Sequence, residues 1–406
     1  MNRYVILLAG FTMMLGLGII TSWSVFVRPL MTEFGWSATD VTLVFTVYYA
    51  TFALTMPFAG HLQDRFGPRK VAVTGGLLVG SGFILASLID TIPSPLWLYA
   101  TYGLITGSGC GLAYSVSSPV AVKWFPEKQE FAVGIVVMGF GMSALIFAPL
   151  ERYLIDHVGI SGALLYIGFL LLLLTVVPSF ILRNPDSPDS PGSPDSPDNT
   201  VQTLTDGESE TDTEMGPREV IKTKQFYILW ANFCLMISIG FIVLSHIAAY
   251  AELRGISPYL AALTSSIFGV SNAFGRPGIY LLSRKFGIER TMLLVFASQA
   301  VFMFLIPYSG NAALFVLIAF AGIMYGANLS LFPALVAEYF GKTNLGANYG
   351  LVFTAVAAAA LLGPLSGSII FDVIGGYDRA FLLAAVMAGI ALFLEFFLRK
   401  PPVAPN

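Results

Sequence analysis

The chain has 406 residues, 56% of them hydrophobic and only 11% charged, with a formal net charge of -3 at pH 7. Soluble domains carry about 25% charged residues, so this much apolar surface cannot be hidden in a soluble core, and the weak negative balance gives no basic footprint for nucleic acid. Cys110 and Cys234 lie inside apolar runs without CxxC or Cys/His spacing, which argues for small packing residues and against a zinc or redox motif.

Apolar runs able to cross a hydrocarbon core of about 30 Å recur at roughly 5–27, 41–61, 71–89, 96–122, 131–150, 160–182, 226–250, 259–282, 291–307, 312–338, 347–370 and 380–398, which makes twelve expected spans. Met1-Asn2-Arg3 ahead of the first run imitates a signal peptide. That run continues for about 20 residues and more spans follow, so a retained first transmembrane helix is expected. After the sixth span the composition turns to Pro-Asp-Ser units from Asn184 to Asn199, then to acidic Ser/Thr-rich sequence up to Met215. Such a segment has nothing apolar to bury and is expected to be disordered. The expected organisation is an N-terminal six-helix bundle over 1–183, a cytoplasmic linker over 184–223 and a C-terminal six-helix bundle over 224–406.

The two halves echo each other. At an offset of 220, Gly35, Ser37, Pro57 and Phe66-Gly67 meet Gly255, Ser257, Pro277 and Phe286-Gly287; at 215, Gly107, Gly111, Phe125 and Pro149 meet Gly322, Gly326, Phe340 and Pro364. The expected fold class is therefore an all-α membrane protein of two pseudo-symmetric six-helix bundles, with a ligand site near the bilayer midplane between repeats. Lys and Arg concentrate on the side that holds the termini and the even-numbered loops, for example Arg65, Arg69, Lys70, Arg284 and Lys285, while Arg28, Arg152, Arg254 and Arg379 fall opposite. The positive-inside rule then puts both termini and the linker in the cytoplasm.

The loop after the second span reads Gly60-His61-Leu62-Gln63-Asp64-Arg65-Phe66-Gly67-Pro68-Arg69-Lys70. It resembles the G-x-L-x-D-R-x-G-x-R/K signature of the major facilitator superfamily, and the spans, the repeat and the central linker agree with that resemblance over essentially the whole chain. The resemblance implies a conformational latch on the cytoplasmic side formed by Asp64, Arg65 and Arg69. Simple positive-inside anchoring accounts for Lys70. The second copy, Ser283-Arg284-Lys285-Phe286-Gly287, lacks the acid and should latch less strongly. Gly103-xxx-Gly107-xxx-Gly111 and Gly322-xxx-Gly326 suit close helix packing. Gly341-Lys342-Thr343 lacks the upstream glycine of a phosphate loop, so ATP hydrolysis is unsupported.

Arg276 is the most informative residue, because it interrupts the expected span Tyr259–Leu282. It lies about 12 Å from the end marked by Arg284 and Lys285, too deep to snorkel to water. An unpaired guanidinium there costs about 2.5–3.5 kcal/mol on insertion scales, which a cavity or an anion must offset. A buried structural ion pair is the plain alternative, but the carboxylates outside the linker all fall at or near expected span ends. Asn272 lies one turn earlier on the same face, and a guanidinium fork matches a carboxylate geometrically.

Asn272-xxx-Arg276 in the eighth span resembles the monocarboxylate transporter and oxalate/formate antiporter branch of the superfamily. The chain departs from the animal carriers in having Asn272 in place of an Asp and no first-span Lys, so their proton relay cannot be copied. It departs from the oxalate carrier in having no basic residue over 347–370. One buried cation favours a substrate with one carboxylate. Tyr114, Tyr325, Asn328 and Phe332 are further candidates for lining a substrate cavity, with Thr21, Trp23 and Ser24 weaker ones; ordinary helix packing is the alternative for all of them. His246 is a candidate for proton coupling, since imidazole titrates near neutrality, although a satisfied interhelical histidine fits equally.

The expected function is secondary active transport of a small monocarboxylate resembling lactate or pyruvate, by alternating access and with proton symport. The expected setting is the plasma or inner membrane, with a carboxylate, protons and lipid as partners, a monomeric carrier, and no metal, cofactor or nucleic acid. An oxalate/formate-type exchanger and a non-transporting receptor for organic acids are the other readings. No nucleophile–base constellation points to an enzyme.

Overall fold

The computed structural model describes residues 3–125, 129–184, 214–341 and 344–399, and their regular structure is helical throughout, without strands. The first span begins as α1 (Arg3–Leu17), tightens into a 3-10 turn over Gly18–Ser22, and continues as α2 (Ser24–Phe34). The chain then runs through α3 (Ala38–Phe66), α4 (Pro68–Ala86), a short α5 (Pro95–Leu98), a π-helical stretch (Tyr99–Thr106), α6 (Gly107–Trp124) and α7 (Gln129–Ser179). After α8 (Pro217–Val220) come α9 (Lys224–Leu253), α10 (Pro258–Phe286), α11 (Ile288–Leu305), α12 (Asn311–Phe340), α13 (Leu345–Phe353), α14 (Ala355–Ile374) and α15 (Asp378–Glu395). Each expected span falls on helix, the fifth and sixth merging in α7, where Gly159 breaks the helical backbone with φ 74° and ψ 178°.

Local chemistry fixes these boundaries. Ser37 and Asp40 form a capping box that starts α3: Asp40 N–H donates to Ser37 Oγ at 3.0 Å, and Ser37 N–H donates to Asp40 Oδ2 at 3.2 Å. Both pairs of glycines matched at an offset of 220 take positive φ, Gly35 and Gly255 at 68° and 77°, Gly67 and Gly287 at 81° and 84°. A side chain would strain those corners. The helices between them, α3 and α10, each have 29 residues, so the repeat seen in sequence is also a repeat of backbone conformation.

The chain divides into two compact units, Met1–Val201 with Leu244–Gly269, and Gln202–Val243 with Val270–Asn406. In the first, glycines let backbones touch. A Cβ on Gly107 would lie 2.5 Å from the Tyr48 carbonyl oxygen of α3, and one on Gly111 would lie 2.8 Å from that of Phe52. Gly75 of α4 and Gly109 of α6 face each other in the same way. The Gly103/Gly107/Gly111 face is thus a packing face. Trp23, Phe83 and Tyr102 fill the space beside it, with Tyr102 4.7 Å from Trp23 and 4.6 Å from Phe83 between ring centroids.

In the second unit, Gly363 of α14 abuts the Ser238 backbone of α9, and Gly275 and Gly326 bring α10 and α12 into contact. Phe332 packs against Phe233, the ring centroids 4.4 Å apart and the planes tilted by 39°. Large apolar side chains such as Leu54, Phe58, Leu173, Phe274 and Val373 face outward, as lipid requires and water penalises. Eight helical stretches are long and apolar enough to cross a membrane. The α10 helix is not among them, because Thr264, Ser265, Ser266, Ser271, Asn272 and Arg276 dilute its apolarity.

Most of the sequence expected to be a disordered linker, 185–213, lies outside the described residues. Residues 214–223 are described, and α8 lies within them. Met215 N–H donates to the Phe340 carbonyl at 3.0 Å, the Met215 carbonyl accepts from Asn348 Nδ2 at 3.0 Å, and the Glu219 carboxylate caps α8 at Gly216 N–H. Val220 of α8 is fully buried as well, so backbone and amide bonds together with one apolar anchor hold this segment.

Because the Gly107 site has no room, Gly107→Leu should lower the stability of the detergent-solubilised protein by about 1–3 kcal/mol. Thermal unfolding followed by circular dichroism checks this, with Gly134→Ala, which meets nothing within 4 Å, expected to unfold like the parent.

Candidate functional site

Arg276 lies within α10, ten residues before the helix ends at Phe286. Its side chain is half-buried. Among the described residues it makes no hydrogen bond and no ion pair with a carboxylate. Asn272, one turn earlier, is only 5% exposed, and its Oδ1 has no hydrogen-bond partner among the described residues. A buried amide without a partner is costly, so this turn of α10 combines an unneutralised cation with unused hydrogen-bonding capacity. The turn is held against α12: a Cβ on Gly326 would collide with the Asn272 carbonyl oxygen and lie 3.0 Å from Asn272 Oδ1.

The three candidates on α12 differ in their surroundings. Tyr325 is buried and its ring rests on Gly240 of α9, where a side chain would overlap the ring. Asn328 is fully buried; its Nδ2 donates to the Met324 carbonyl at 2.9 Å and its Oδ1 has no partner among the described residues. Phe332 is fully buried against Phe233 and Phe296, the environment of a packing residue.

The remaining candidates belong to the first unit. Tyr114 on α6 is half-buried between Phe52 and Phe140, at 5.4 and 5.6 Å between centroids. His246 on α9 is fully buried. Ser24 Oγ pairs with Ser265 Oγ of α10 at 2.8 Å, Thr21 Oγ1 donates to the Gly18 carbonyl, and Trp23 is part of the aromatic cluster. Of the expected latch, Arg65 is exposed beside Phe66 and Arg69 is exposed over Phe180 at 5.2 Å; the Asp64 side chain lies outside what the structure describes.

Two acidic groups escaped the sequence reading. Glu151 of α7, placed there among acids near span ends, is fully buried, with Oε1 2.8 Å from Ser22 Oγ and Oε2 without a partner among the described residues. Glu252 of α9 lies 3.9 Å from both Arg28 Nε and Arg152 Nη1, and Arg152 also pairs with Asp156. Only the i,i+4 spacing of Arg152 and Asp156 was visible in the sequence as a signal for this network. No group of three or more His, Cys, Asp or Glu among the described residues could hold a metal ion.

Membrane-length helices with exposed apolar surfaces, and a cation inside one helix that has no carboxylate partner among the described residues, are features of a multi-pass membrane protein. The Major Facilitator Superfamily profile matches residues 6–314 and 281–406, and the chain belongs to that superfamily. It is 29% identical to the oxalate:formate antiporter of Oxalobacter formigenes over 98% of this chain and 91% of that protein. It is 27% identical to monocarboxylate transporter 4 of Rattus norvegicus over 92% of this chain and 80% of that one. The crystal structure of a D-xylose-proton symporter shares the fold, with a TM-score of 0.75 at 16% identity over 98% of this chain and 99% of that one. The resemblance drawn from the Asp64 loop and from Asn272-xxx-Arg276 is borne out at the level of family and branch. The protein is a transporter rather than an enzyme.

The contact at Gly326 yields a test of the geometry around Asn272. Gly326→Val should displace α10 and lower the thermal unfolding midpoint, at a cost of about 1–3 kcal/mol. Gly278→Ala, on α10 but in open space, should leave the midpoint unchanged or slightly raised.

Proposed function

We propose that this chain moves a small monocarboxylate, of the size of lactate or pyruvate, across the plasma or inner membrane by alternating access coupled to protons. The observation that carries this reading is Arg276, a permanent cation inside α10 with no carboxylate partner among the described residues. A guanidinium keeps its proton in proteins and cannot discharge itself. Its charge must therefore be balanced by water or by a guest anion.

A carboxylate from the substrate supplies that balance through two parallel N–H···O bonds. Asn272 offers an amide on the same face, and Tyr114, Tyr325 and Asn328 are proposed as neighbours, with Phe332 behind them. Loading one carboxylate and one proton leaves the carrier with little net buried charge, so it can reorient; the empty carrier keeps a bare cation and resists. His246 is one proposed carrier of the proton. The two sequence halves, 1–183 and 224–406, rock about the loaded site, and the Asp64, Arg65 and Arg69 loop latches the cytoplasmic side. Both termini face the cytoplasm, and a single copy suffices.

The similarity to an oxalate:formate antiporter favours a second reading, exchange of one anion for another. The absence of a basic residue over 347–370 weighs against a dicarboxylate in that exchange.

In proteoliposomes, Arg276→Ala should cut lactate uptake driven by an inward proton gradient by roughly 100-fold or more, the effect of about 3–5 kcal/mol when one member of a buried pair is removed. Arg276→Lys, which keeps charge but loses the fork, should retain part of it. Parental uptake by Arg276→Ala would overturn the proposal, and exchange of trapped label without any proton gradient would favour the antiporter reading.

A further inference from the structure

Glu151 is fully buried on α7, next to the 3-10 turn that interrupts the first span. Among the described residues no cation pairs with it. Arg152, the next residue, is committed to Asp156 and Glu252, and Arg28 to Glu252. An ionised carboxylate in such a place carries a desolvation cost large enough that groups neutralise instead.

The hydrogen-bond geometry points the same way. Ser22 Oγ lies 2.7 Å from the Ile19 carbonyl oxygen and 2.8 Å from Glu151 Oε1. A hydroxyl has one hydrogen, and the Ile19 carbonyl can only accept. If Ser22 donates to Ile19, the second short contact needs its own proton, which the carboxyl must supply. A protonated Glu151 that donates to Ser22 Oγ satisfies both contacts. Ionised Glu151 satisfies only one.

We propose that Glu151 is a proton-binding site: protonated and donating to Ser22 in this conformation, and giving up that proton to water when the Ser22–Glu151 contact opens during the transport cycle. The idea rests on the proton-coupled reading and moves the coupling proton from His246 to Glu151. The route to water is short, since Asp156, about one and a half turns along α7, has a side chain 47% exposed.

The other groups around Glu151 leave this assignment intact. Apolar residues of α2, α7, α9 and α10 (Val25, Ala148, Ile155, Ala248 and Ala262) pack together here. Tyr102, another buried titratable group of this unit, is a neutral phenol near pH 7 by its ordinary titration range. Tyr48 and Cys110 are neutral near pH 7 by their ordinary titration ranges, and both lie close to the Leu17 carbonyl. On α9, Glu252 belongs to the arginine network, and His246 is the competing proton carrier. A bare carboxylate at position 151 would therefore face no compensating charge of its own.

The test uses the full chain in two measurements. Infrared spectroscopy in nanodiscs should show a protonated-carboxyl stretch at neutral pH that is missing in Glu151→Gln. Ser22→Ala, which removes the acceptor of the neutral acid, should move the midpoint of that band to lower pH. In proteoliposomes, Glu151→Gln should lose net uptake driven by a proton gradient but still exchange labelled for unlabelled substrate, a split that a merely structural acid would not produce.

Absence of the band, an upward midpoint shift in Ser22→Ala, or full gradient-driven uptake by Glu151→Gln would overturn the proposal. So would equal loss of uptake and exchange in a Glu151→Gln protein whose thermal unfolding matches the parent. Should the parent show no proton-driven uptake of any acid, the symport reading fails instead, and the infrared titration alone decides the state of Glu151.

Discussion

Close approach of helix backbones is the constraint on which the rest of this structure depends. Between lipid-solvated helices there is no hydrophobic drive to associate, so packing and interhelical hydrogen bonds must hold them. Here the approach is made where side chains are reduced to hydrogen: Gly107 and Gly111 against α3, Gly75 against Gly109, Gly275 and Gly326 between α10 and α12. Hydroxyls add cross-links at these places, as when Thr51 Oγ1 donates to the Gly103 carbonyl at 3.0 Å. The turn of α10 that carries Asn272 and Arg276 inherits its position from one of these contacts. Gly326 fixes where Asn272 stands, and Asn272 and Arg276 share one face.

Polarity inside the helices is then placed with economy. In the second unit Asn232 Nδ2 donates to Glu395 at 2.8 Å, and Tyr339 donates to Glu289 at 2.5 Å, so those acids have neutral donors rather than cations. The first unit separates its charges differently. Four of them, Arg28, Arg152, Asp156 and Glu252, are grouped in one network, while Glu151 is kept apart from it although it adjoins Arg152 in sequence. On a helix, adjacent residues point about 100° apart, and that rotation sends the acid inward and the arginine to the network.

How much of this was legible in the sequence follows from the physics of each signal. Span positions came through because twenty-residue apolar runs are rare in any other setting. The repeat came through because its corner glycines, Gly35, Gly67, Gly255 and Gly287, need positive φ and leave a fixed mark. Arg276 stood out as a cost in need of compensation. The burial of Glu151 did not, because an acid at the edge of an apolar run looks the same whether it turns to water or to a neighbouring helix. The structure of 214–223 was also invisible, since it rests on backbone and amide bonds at Met215 and on a single buried apolar side chain, Val220, rather than on a periodic apolar run. The aromatic neighbours of Phe332, Phe233 and Phe296, were not legible either, because they come from other helices.

The π-helical stretch Tyr99–Thr106 bears on how this chain tolerates change in length. Wide turns of this kind hold surplus residues relative to an α-helix. Losing a single residue between Leu98 and Gly107 can be absorbed by tightening toward ordinary α geometry, which keeps Gly107, Gly111 and Tyr114 in register with their partners on α3 and α7. The same deletion within α6, downstream of Gly107, has no slack to draw on; it rotates everything beyond it by about 100° and turns Tyr114 away from both Phe52 and Phe140. The fourth span thus contains its own shock absorber for insertions and deletions, confined to eight positions.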